Sequence, residues 1–237
     1  MPRERGGLQI GLSESAEFGE KKGVMLDAII FDIGNVLLRF DFNRAILRVS
    51  PQCSVDPVEM PKRIEPLKNL LESGQLSNEE FLRRLSEAIG YRGPEEELVG
   101  AWQQIFDPVE ETHELVEELQ GRLPLYLLSN TNALHARYFL STYRVFNHFA
   151  GSVYSHRVQM MKPDQEIYEY AIVEFGLNPG RTLFVDDLEA NVRGAREAGL
   201  LAHHYRLDRH ADLLKLLHSH GLKLHGYPEG EGAARRR

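Results

Sequence analysis

The sequence has few of the features that mark secreted, membrane-embedded or disulfide-stabilised proteins. Its 237 residues contain a single cysteine, Cys53, so no intrachain disulfide can form, which favours a reducing compartment. No apolar run approaches the roughly 18 residues that span a bilayer, and residues 1–24 lack the apolar centre of a secretory signal. We therefore expect a cytoplasmic protein without a membrane partner.

Excess positive charge is also missing. The chain has 28 basic and 35 acidic residues, a formal net charge of -7, and its basic residues are not gathered into one stretch apart from three arginines at the C-terminus. A negative protein repels a phosphodiester backbone unless its basic groups share one face. The composition therefore predicts no nucleic-acid partner.

The chain does contain enough apolar material for a sizeable core. Hydrophobic residues make up 42% and charged residues 27% of the sequence, which excludes disorder for most of it. Length alone predicts one to two compact units. Apolar runs of strand length alternate with helical patterns, which is typical of an α/β fold with parallel strands. The predicted strands are Leu26–Phe31, Leu125–Leu128, Gly151–Tyr154, Thr182–Val185 and Leu201–Tyr205.

One gap interrupts this alternation, because 93 residues separate Phe31 from Leu125. A crossover between parallel strands needs only about a dozen residues, so the gap predicts an inserted unit. Four helical patterns fill it: Asn43–Val49, Asp56–Leu71, Asn78–Ile89 and Glu95–Phe106. We expect a helical second unit at 42–106, a core formed by 25–41 and 107–225, a flexible leader at 1–24 and a flexible tail at 226–237. After the insert, helices are predicted at Val109–Leu119, Ala133–Thr142, Gln165–Phe175, Leu188–Ala198 and Ala211–His218.

Polar residues follow three of the predicted strands. Asp32 ends the first, Ser129 the second, and the pair Asp186 and Asp187 another. The carboxyl ends of parallel strands meet at one edge of a sheet, so these groups can converge. Each of them could instead cap the following helix, and for Ser129 and Asp187 taken singly capping is the commoner role. The convergence of three such ends, together with Lys162, favours a site.

The residue types indicate the chemistry of that site. Carboxylates packed together repel unless a cation neutralises them. Oxygen ligands without a cluster of histidine or cysteine favour Mg²⁺. A hard cation, a carboxylate, a hydroxyl and a lysine suit phosphoryl transfer, in which Asp32 would attack phosphorus and form an aspartyl-phosphate that water hydrolyses.

The order of four short motifs resembles that of the haloacid dehalogenase superfamily. These motifs are Asp32-Ile33-Gly34-Asn35-Val36, Ser129-Asn130-Thr131, Lys162-Pro163-Asp164 and Asp186-Asp187. The resemblance covers roughly residues 26–217 and implies a Rossmann-like core with a parallel sheet and an inserted helical C1 cap. The segments around Asp32, Ser129 and Trp102 are similar to those of bacterial α-D-glucose-1-phosphate phosphatases and of the phosphatase domain of soluble epoxide hydrolases.

This resemblance implies roles for individual residues. Asp32 is then the nucleophile and a Mg²⁺ ligand, and Lys162 steadies both the nucleophile and the phosphate. Ser129 and Asn130 bind the phosphate. Asp186 holds Mg²⁺, and Asp187 is either a ligand or a close neighbour of one.

Gly34 departs from the superfamily pattern, in which a second aspartate at this position protonates the leaving oxygen. Glycine can offer the metal only its backbone carbonyl. One explanation is a substrate with an acidic leaving oxygen, such as an aldose 1-phosphate. Another is a proton donor from elsewhere, either Asp41 or a residue of the insert. Asp41 is better interpreted as a helix cap before Asn43.

Four further sets of residues invite interpretation. Glu72-Ser73-Gly74-Gln75 follows a helical pattern and is either a loop that reaches the crevice or a simple helix stop. Trp102 and Phe106 are four apart on a predicted helix and are interpreted as core. His156 is interpreted as a surface histidine, and the neighbouring His203 and His204 point to opposite faces of a strand.

Taken together, the sequence predicts a Mg²⁺-dependent phosphomonoesterase for a small phosphorylated metabolite, with a sugar phosphate such as an aldose 1-phosphate as the expected substrate. Two alternatives stay open. A carbon-halogen hydrolase of the same superfamily uses the aspartate without metal, but the pair Asp186 and Asp187 would repel a departing halide. A noncatalytic binding protein of this fold would explain the glycine at position 34 as a trace of lost chemistry.

Overall fold

The computed structural model describes residues 24–225. The predicted tail, and the predicted leader apart from Val24, lie outside these residues. No helix within the described range is long and apolar enough to cross a membrane. The strands are β1 (Ala28–Phe31), β2 (Leu38–Phe40), β3 (Phe106–Pro108), β4 (Leu125–Ser129), β5 (Gly151–Tyr154), β6 (Thr182–Asp186) and β7 (Leu201–His204).

Ten α-helices accompany these strands within residues 24–225. They are α1 (Phe42–Val49), α2 (Met60–Glu72), α3 (Asn78–Ile89), α4 (Glu95–Gln103), α5 (Glu110–Leu119), α6 (Ala133–Thr142), α7 (Ser155–Val158), α8 (Gln165–Glu174), α9 (Glu189–Glu197) and α10 (His210–Ser219).

Five strands form one parallel sheet in the order β5-β4-β1-β6-β7, which confirms the predicted α/β class. Strand β1 lies at its centre, with Ile29 opposite Leu125 on one side and Leu183 on the other. All four residues of β1 are buried, as expected for a central strand covered on both faces. From β1 the chain continues to β4 and β5 on one side and then crosses back to β6 and β7 on the other. Such a reversal opens a crevice at the carboxyl ends of the strands.

The helices α1 to α4 lie within residues 42–106, which we call the helical insert. They share a hydrophobic core that includes Phe81 and Trp102 and also receives Leu134 from α6. Local signals start two of these helices. The Asp41 side chain accepts a hydrogen bond from the Asn43 N–H at 2.9 Å, and Ser77 caps α3 through the Glu80 N–H. The interpretation of Asp41 as a helix cap is confirmed.

Two short strands at the ends of the insert were not predicted. Strands β2 and β3 pair antiparallel, with Phe40 opposite Phe106. The prediction that one helix carries both Trp102 and Phe106 is therefore wrong, because α4 ends at Gln103 and Phe106 begins β3. Pairing with β2 satisfies backbone groups near Phe106 that a longer helix would otherwise have used.

Candidate active site

The structure brings the predicted strand-end residues to one edge of the sheet. Asp32 directly follows β1, while Ser129 and Asp186 are the last residues of the neighbouring strands β4 and β6. A cavity of about 320 Å³ opens at this edge. Five of the predicted site residues line it together with Asp187, and these are Asp32, Gly34, Ser129, Asn130 and Lys162. Asp186 is fully buried beside it.

Lys162 joins the acidic residues of the site. Its Nζ lies 2.8 Å from Oδ1 of Asp32 and 2.6 Å from Oδ2 of Asp186, and it donates a hydrogen bond to the Leu128 carbonyl at 3.0 Å. The side chain is 1% exposed. Burial alone lowers the pKa of Lys162, but the carboxylates of Asp32 and Asp186 outweigh burial and hold that pKa above its ordinary value. The ammonium is therefore fixed in its charged form beside the proposed nucleophile.

Asp186 is held by more donors than a single ion pair. Its Oδ1 accepts from the Leu188 N–H at 2.8 Å and from Asn191 Nδ2 at 3.0 Å, and Asn191 also lies 3.1 Å from Oδ2. With Lys162 on Oδ2, both oxygens of Asp186 have two polar neighbours. This buried carboxylate is thus well satisfied without any further ligand.

Asp32, Asp186 and Asp187 can each offer one oxygen such that all three atoms lie within 4.8 Å of one another. Two ionised carboxylates at that distance repel by about 3 kcal/mol at an effective dielectric constant of about 20. Burial raises the pKa of Asp32 to about 7, with Lys162 opposing and Asp186 and Asp187 adding to the rise. Burial also raises the pKa of Asp187, although a hydrogen bond from Asn35 at 3.0 Å opposes it.

Such a cluster of oxygen donors is short of positive charge, since Lys162 is one cation among three carboxylates. A divalent cation supplies the missing charge, and hard oxygen donors without sulfur or imidazole suit Mg²⁺. The residues of the site therefore fit the predicted magnesium ion.

The segment after β4 is arranged differently from a simple helix start. Helix α6 is capped by Asn132, whose Oδ1 accepts from the His135 N–H at 3.0 Å, and α9 begins after Leu188 without a side-chain cap. Capping therefore explains neither Ser129 nor Asp187. The amide of Asn130 exchanges two hydrogen bonds with the backbone of Lys162, at 2.8 and 2.9 Å. Its side chain thus fixes the lysine loop.

The space beside Gly34 is taken by an aromatic ring. A Cβ atom on Gly34 would lie 3.1 Å from Cε1 of Phe40, closer than most Cβ contacts, and 3.8 Å from Oδ2 of Asp32. Any side chain at position 34 would therefore push against the Phe40 ring. The Phe40 ring therefore occupies the space that a side chain at position 34 would need.

The helical insert also reaches the cavity. Lys68, Asn69 and Glu72, all from the last part of α2, line it opposite the strand ends. Lys68 Nζ lies 2.8 Å from Oε2 of Glu72, whose side chain is 9% exposed. Burial raises the pKa of Glu72, and Lys68 lowers it in part.

A hydroxyl of the core holds this end of the insert in place. Ser155 Oγ donates to the Glu72 carbonyl at 2.6 Å and accepts from the Thr131 N–H at 3.0 Å. The turn after Glu72 packs against the same region, because Gly74 has φ +72° and a Cβ there would lie 2.5 Å from the His156 carbonyl oxygen. Of the two interpretations of the Glu72–Gln75 segment, the helix stop is confirmed, because α2 ends at Glu72 and Gly74 has a positive φ. Glu72 is the one residue of this segment that lines the crevice.

A second cavity of about 340 Å³ lies within the helical insert. Its walls are mainly apolar and include Ile46, Leu85 and Trp102. Phe42 and Lys68 line both this cavity and the one at the strand ends. The two cavities are therefore neighbours that share a wall.

A buried histidine connects the insert with the core. His135 of α6 stacks on Trp102 with ring centroids 5.0 Å apart, and its Nε2 lies 2.9 Å from the Trp102 carbonyl oxygen. Its Nδ1 lies 2.9 Å from the Asn132 amide. Burial lowers the pKa of His135 to about 3, so the ring is neutral near pH 7.

Within the described residues, the other histidines of the sequence analysis form no hydrogen bond with the carboxylate groups of the acidic cluster. His156 is half-buried, with Nδ1 2.9 Å from the Thr131 carbonyl oxygen, so its interpretation as a surface histidine is only partly right. His204 Nε2 lies 2.8 Å from the backbone oxygen of Asp187, whereas the burial of His203 lowers its pKa. Sequence reasoning missed Asn191 and Ser155. Asn191 follows Asp186 by five residues, a spacing that could have drawn attention, while Ser155 has no such signal.

Comparison with known proteins adds the family to this geometry. Residues 26–199 match the model of the haloacid dehalogenase-like hydrolases. The chain belongs to this family. The predicted resemblance is thereby confirmed, and the described parallel sheet is the core that it implied.

Relatives of this hydrolase include two phosphatases. A D-ribitol-5-phosphate phosphatase of Bacteroides thetaiotaomicron is 28% identical over 187 residues, which cover 74% of this chain and 89% of the relative. A sesquiterpene phosphatase of Aspergillus oryzae is 27% identical over 181 residues, which cover 75% of this chain and 88% of the relative. These relatives agree with the predicted enzyme class, a phosphoric monoester hydrolase.

A solved structure agrees with the predicted cofactor. A family enzyme from Bacteroides thetaiotaomicron in complex with magnesium has a TM-score of 0.69 to this hydrolase and 25% identity, with 78% of this chain and 95% of that chain covered. The cluster of Asp32, Asp186 and Asp187 offers the corresponding kind of donor here. Magnesium is thus supported both by the relative and by the oxygen donors of this chain.

Proposed function

We propose that this hydrolase cleaves a phosphate monoester of a small sugar or sugar alcohol, with Asp32 as the nucleophile and Mg²⁺ as the cofactor. The observation that carries the proposal is the buried contact of Lys162 with Asp32 and Asp186, beside a cavity that Ser129 and Asp187 also line. A charged lysine beside a carboxylate of raised pKa indicates a tuned reactive group.

In the first step, a carboxylate oxygen of Asp32 attacks phosphorus while the bond to the leaving oxygen breaks. In the second, water attacks the aspartyl-phosphate and releases the Asp32 carboxylate and inorganic phosphate. Lys162 offsets negative charge on Asp32 and on the phosphoryl oxygens, and Ser129 supplies a hydroxyl at the cavity wall. A magnesium ion held by these oxygen donors would neutralise charge on the phosphoryl oxygens.

We propose Asp32, Asp187 and the Gly34 carbonyl as the main metal ligands of this chain. Both oxygens of Asp186 already have two polar neighbours, whereas within the described residues the carboxylate of Asp187 accepts from one side-chain donor, Asn35. Asp186 would then contribute negative charge and hold Lys162 in position. The resemblance instead implies that Asp186 is itself a metal ligand.

The helical insert is proposed as a cap over the core of residues 25–41 and 107–225. Lys68, Asn69 and Glu72 line the cavity from the insert, so they would face the part of the substrate beyond the phosphate. Such polar groups suit the hydroxyls of a sugar or of a sugar alcohol, the substrate class named for the ribitol-phosphate relative. An aldose 1-phosphate fits the glycine at position 34, because its anomeric oxygen leaves with less proton assistance.

One observation favours a second substrate class. The apolar cavity in the insert shares Phe42 and Lys68 with the proposed catalytic cavity. A phosphate ester of an apolar alcohol could place its chain there, as the name of the sesquiterpene phosphatase suggests for that relative. The two classes are separated by direct comparison of their hydrolysis.

The experiment measures phosphate release from aldose 1-phosphates, sugar-alcohol phosphates and a prenyl phosphate, each with Mg²⁺ and with EDTA. We expect Mg²⁺-dependent turnover that Asp32→Asn abolishes, highest with the sugar esters. Halide release in EDTA from a haloacid would instead support the carbon-halogen alternative. Absence of turnover on every ester, with wild type and Asp32→Asn alike, would support a noncatalytic protein.

A further inference from the structure

The proposed reaction leaves one proton without a donor. An alcohol is a poor leaving group unless its oxygen is protonated as the bond to phosphorus breaks. Position 34 cannot supply that proton, because Gly34 has no side chain and the Phe40 ring stands against it. The donor must therefore be another titratable group that lines the cavity.

Within the described residues, few titratable side chains line this cavity. Its carboxyl groups belong to Asp32, Asp187 and Glu72, its amines to Lys68 and Lys162, and its imidazole to His135. Asp32 is the proposed nucleophile, Asp187 a proposed metal ligand, and Lys162 is occupied by two carboxylates and a carbonyl. His135 is neutral near pH 7, and both of its ring nitrogens already have polar partners within 2.9 Å.

Glu72 and Lys68 remain as an ion pair 2.8 Å apart, and of the two Glu72 is the more buried. The position of Glu72 is fixed from two directions. Its backbone carbonyl accepts the hydrogen bond from Ser155, whose hydroxyl is also bound to the Thr131 N–H next to Asn130. The turn that follows it cannot shift freely, because Gly74 packs on the backbone of His156. The carboxyl group is thus carried by the insert but anchored to the loop that follows β4.

The surroundings of Glu72 suit reversible proton transfer. The side chain is nearly buried, which favours the neutral acid, and Lys68 at 2.8 Å can stabilise the carboxylate once the proton has left. Burial raises the pKa of Glu72 above its ordinary value in spite of Lys68. Both forms of the group are therefore accessible within one catalytic cycle.

We propose that Glu72 of the helical insert is the general acid and base of this hydrolase. As the Asp32 oxygen bonds to phosphorus, the Glu72 carboxylic acid gives its proton to the leaving oxygen and an alcohol departs. The Glu72 carboxylate then takes a proton from the water that attacks the aspartyl-phosphate, and the phosphoryl bond to Asp32 breaks. The cycle returns the Glu72 acid and the Asp32 carboxylate. This role rests on the proposed phosphatase function. Glu72 would supply the proton that a side chain at position 34 cannot supply.

The test compares two esters that differ in their need for a proton. The leaving group of p-nitrophenyl phosphate is an acidic phenol that departs unaided, whereas a primary alkyl phosphate releases a basic alkoxide unless it is protonated. Wild type, Glu72→Gln and the matched control Glu79→Gln are assayed on both with Mg²⁺. Glu79 is an exposed residue of α3 in the same insert.

We expect Glu72→Gln to lower kcat/KM on the alkyl phosphate by about 100-fold or more, while kcat/KM on p-nitrophenyl phosphate changes less than about threefold. The value of kcat should fall on both esters, because it includes hydrolysis of the shared aspartyl-phosphate. A retained kcat/KM on the aryl ester also demonstrates that the variant is folded. Glu79→Gln should match wild type on both esters.

An equal loss of kcat/KM on both esters, or no loss of kcat/KM on either, would overturn the role of Glu72 and leave the phosphatase function standing. Failure of the proposed phosphatase function would give a different result from failure of the Glu72 role. If wild type shows no Mg²⁺-dependent turnover of either ester, the phosphatase proposal fails, and the general-acid role fails with it.

Discussion

Asn35 donates a hydrogen bond from its side chain to Oδ2 of Asp187 at 3.0 Å, and so connects the loop after β1 with the loop after β6. Asn35 has φ +51°, in the left-handed region that asparagine tolerates better than most residues. The backbone of this residue is thus bent so that its amide can reach a carboxylate 152 positions away. Its function is to orient Asp187.

Asn35→Gly should therefore weaken magnesium binding. Glycine keeps the positive φ and removes only the amide, so the change isolates the hydrogen bond to Asp187. Loss of such an outer partner typically weakens metal affinity by about 10- to 100-fold. Isothermal titration of the metal-free protein with Mg²⁺ measures the effect, and unchanged affinity would contradict the orienting role.

Lys162→Met should destabilise the fold as well as abolish activity. The substitution leaves Asp32 and Asp186 buried without their shared cation, a loss of about 3–5 kcal/mol in the free energy of unfolding. Denaturant unfolding in EDTA measures it, with the exposed Lys215→Met as the control. Adding Asp186→Asn should recover part of the loss, because one unpaired charge is removed. Purely additive effects of the two substitutions would count against the charge network.

His135 should make the protein less stable in acid. Its pKa in the folded state, about 3, lies below the ordinary 6.5 because the ring is buried. The unfolded chain therefore binds the proton first as the pH falls below about 6.5, and stability decreases by up to about 1.4 kcal/mol per pH unit until about pH 3.

The measurement is the free energy of unfolding at pH 7 and pH 5 for wild type and His135→Gln. Other histidines with lowered pKa values, such as His113 and His210, contribute in the same direction in both proteins. The difference between the two pH dependences isolates His135. Equal slopes in wild type and variant would show that this ring titrates freely.

Gly34→Asp should be tolerated only if Phe40 gives way. The new Cβ would lie 3.1 Å from the Phe40 ring, and overpacking of this kind destabilises by about 1–3 kcal/mol. In a Phe40→Ala background the same substitution should have a smaller effect, so the double-mutant cycle should give a coupling energy of at least about 0.5 kcal/mol. Thermal unfolding of the four proteins provides the numbers, and zero coupling would mean that the ring and position 34 are independent.

Much of the fold could be predicted because its signals are local. Helices α3 and α6 and strand β5 begin and end where hydrophobic periodicity and caps such as Ser77 place them. Strands β2 and β3 could not be found in this way, since each has three residues and forms only by pairing with the other across the whole insert. Local preference is a weak guide where pairing decides the conformation.

The candidate site also has a part that the sequence predicts and a part that depends on packing. The strand-end position of Asp32 and Asp186 follows from parallel topology, so their approach was predictable. Which polar group satisfies which partner depends on distances that arise only after packing. Asn130 illustrates this, because its motif gives no sign that the amide also holds the backbone of Lys162.

The hydroxyl of Ser155 joins the last residue of α2 to the loop that follows β4, because it donates to the Glu72 carbonyl and accepts from the Thr131 N–H. It also lies 3.1 Å from the Thr131 carbonyl, a second acceptor within the core. If the insert moved away, the Ser155 hydroxyl could donate to that carbonyl, whereas the Glu72 carbonyl would have to accept from water. The cost of separating the two units would therefore fall on the insert, while the loop keeps its partner.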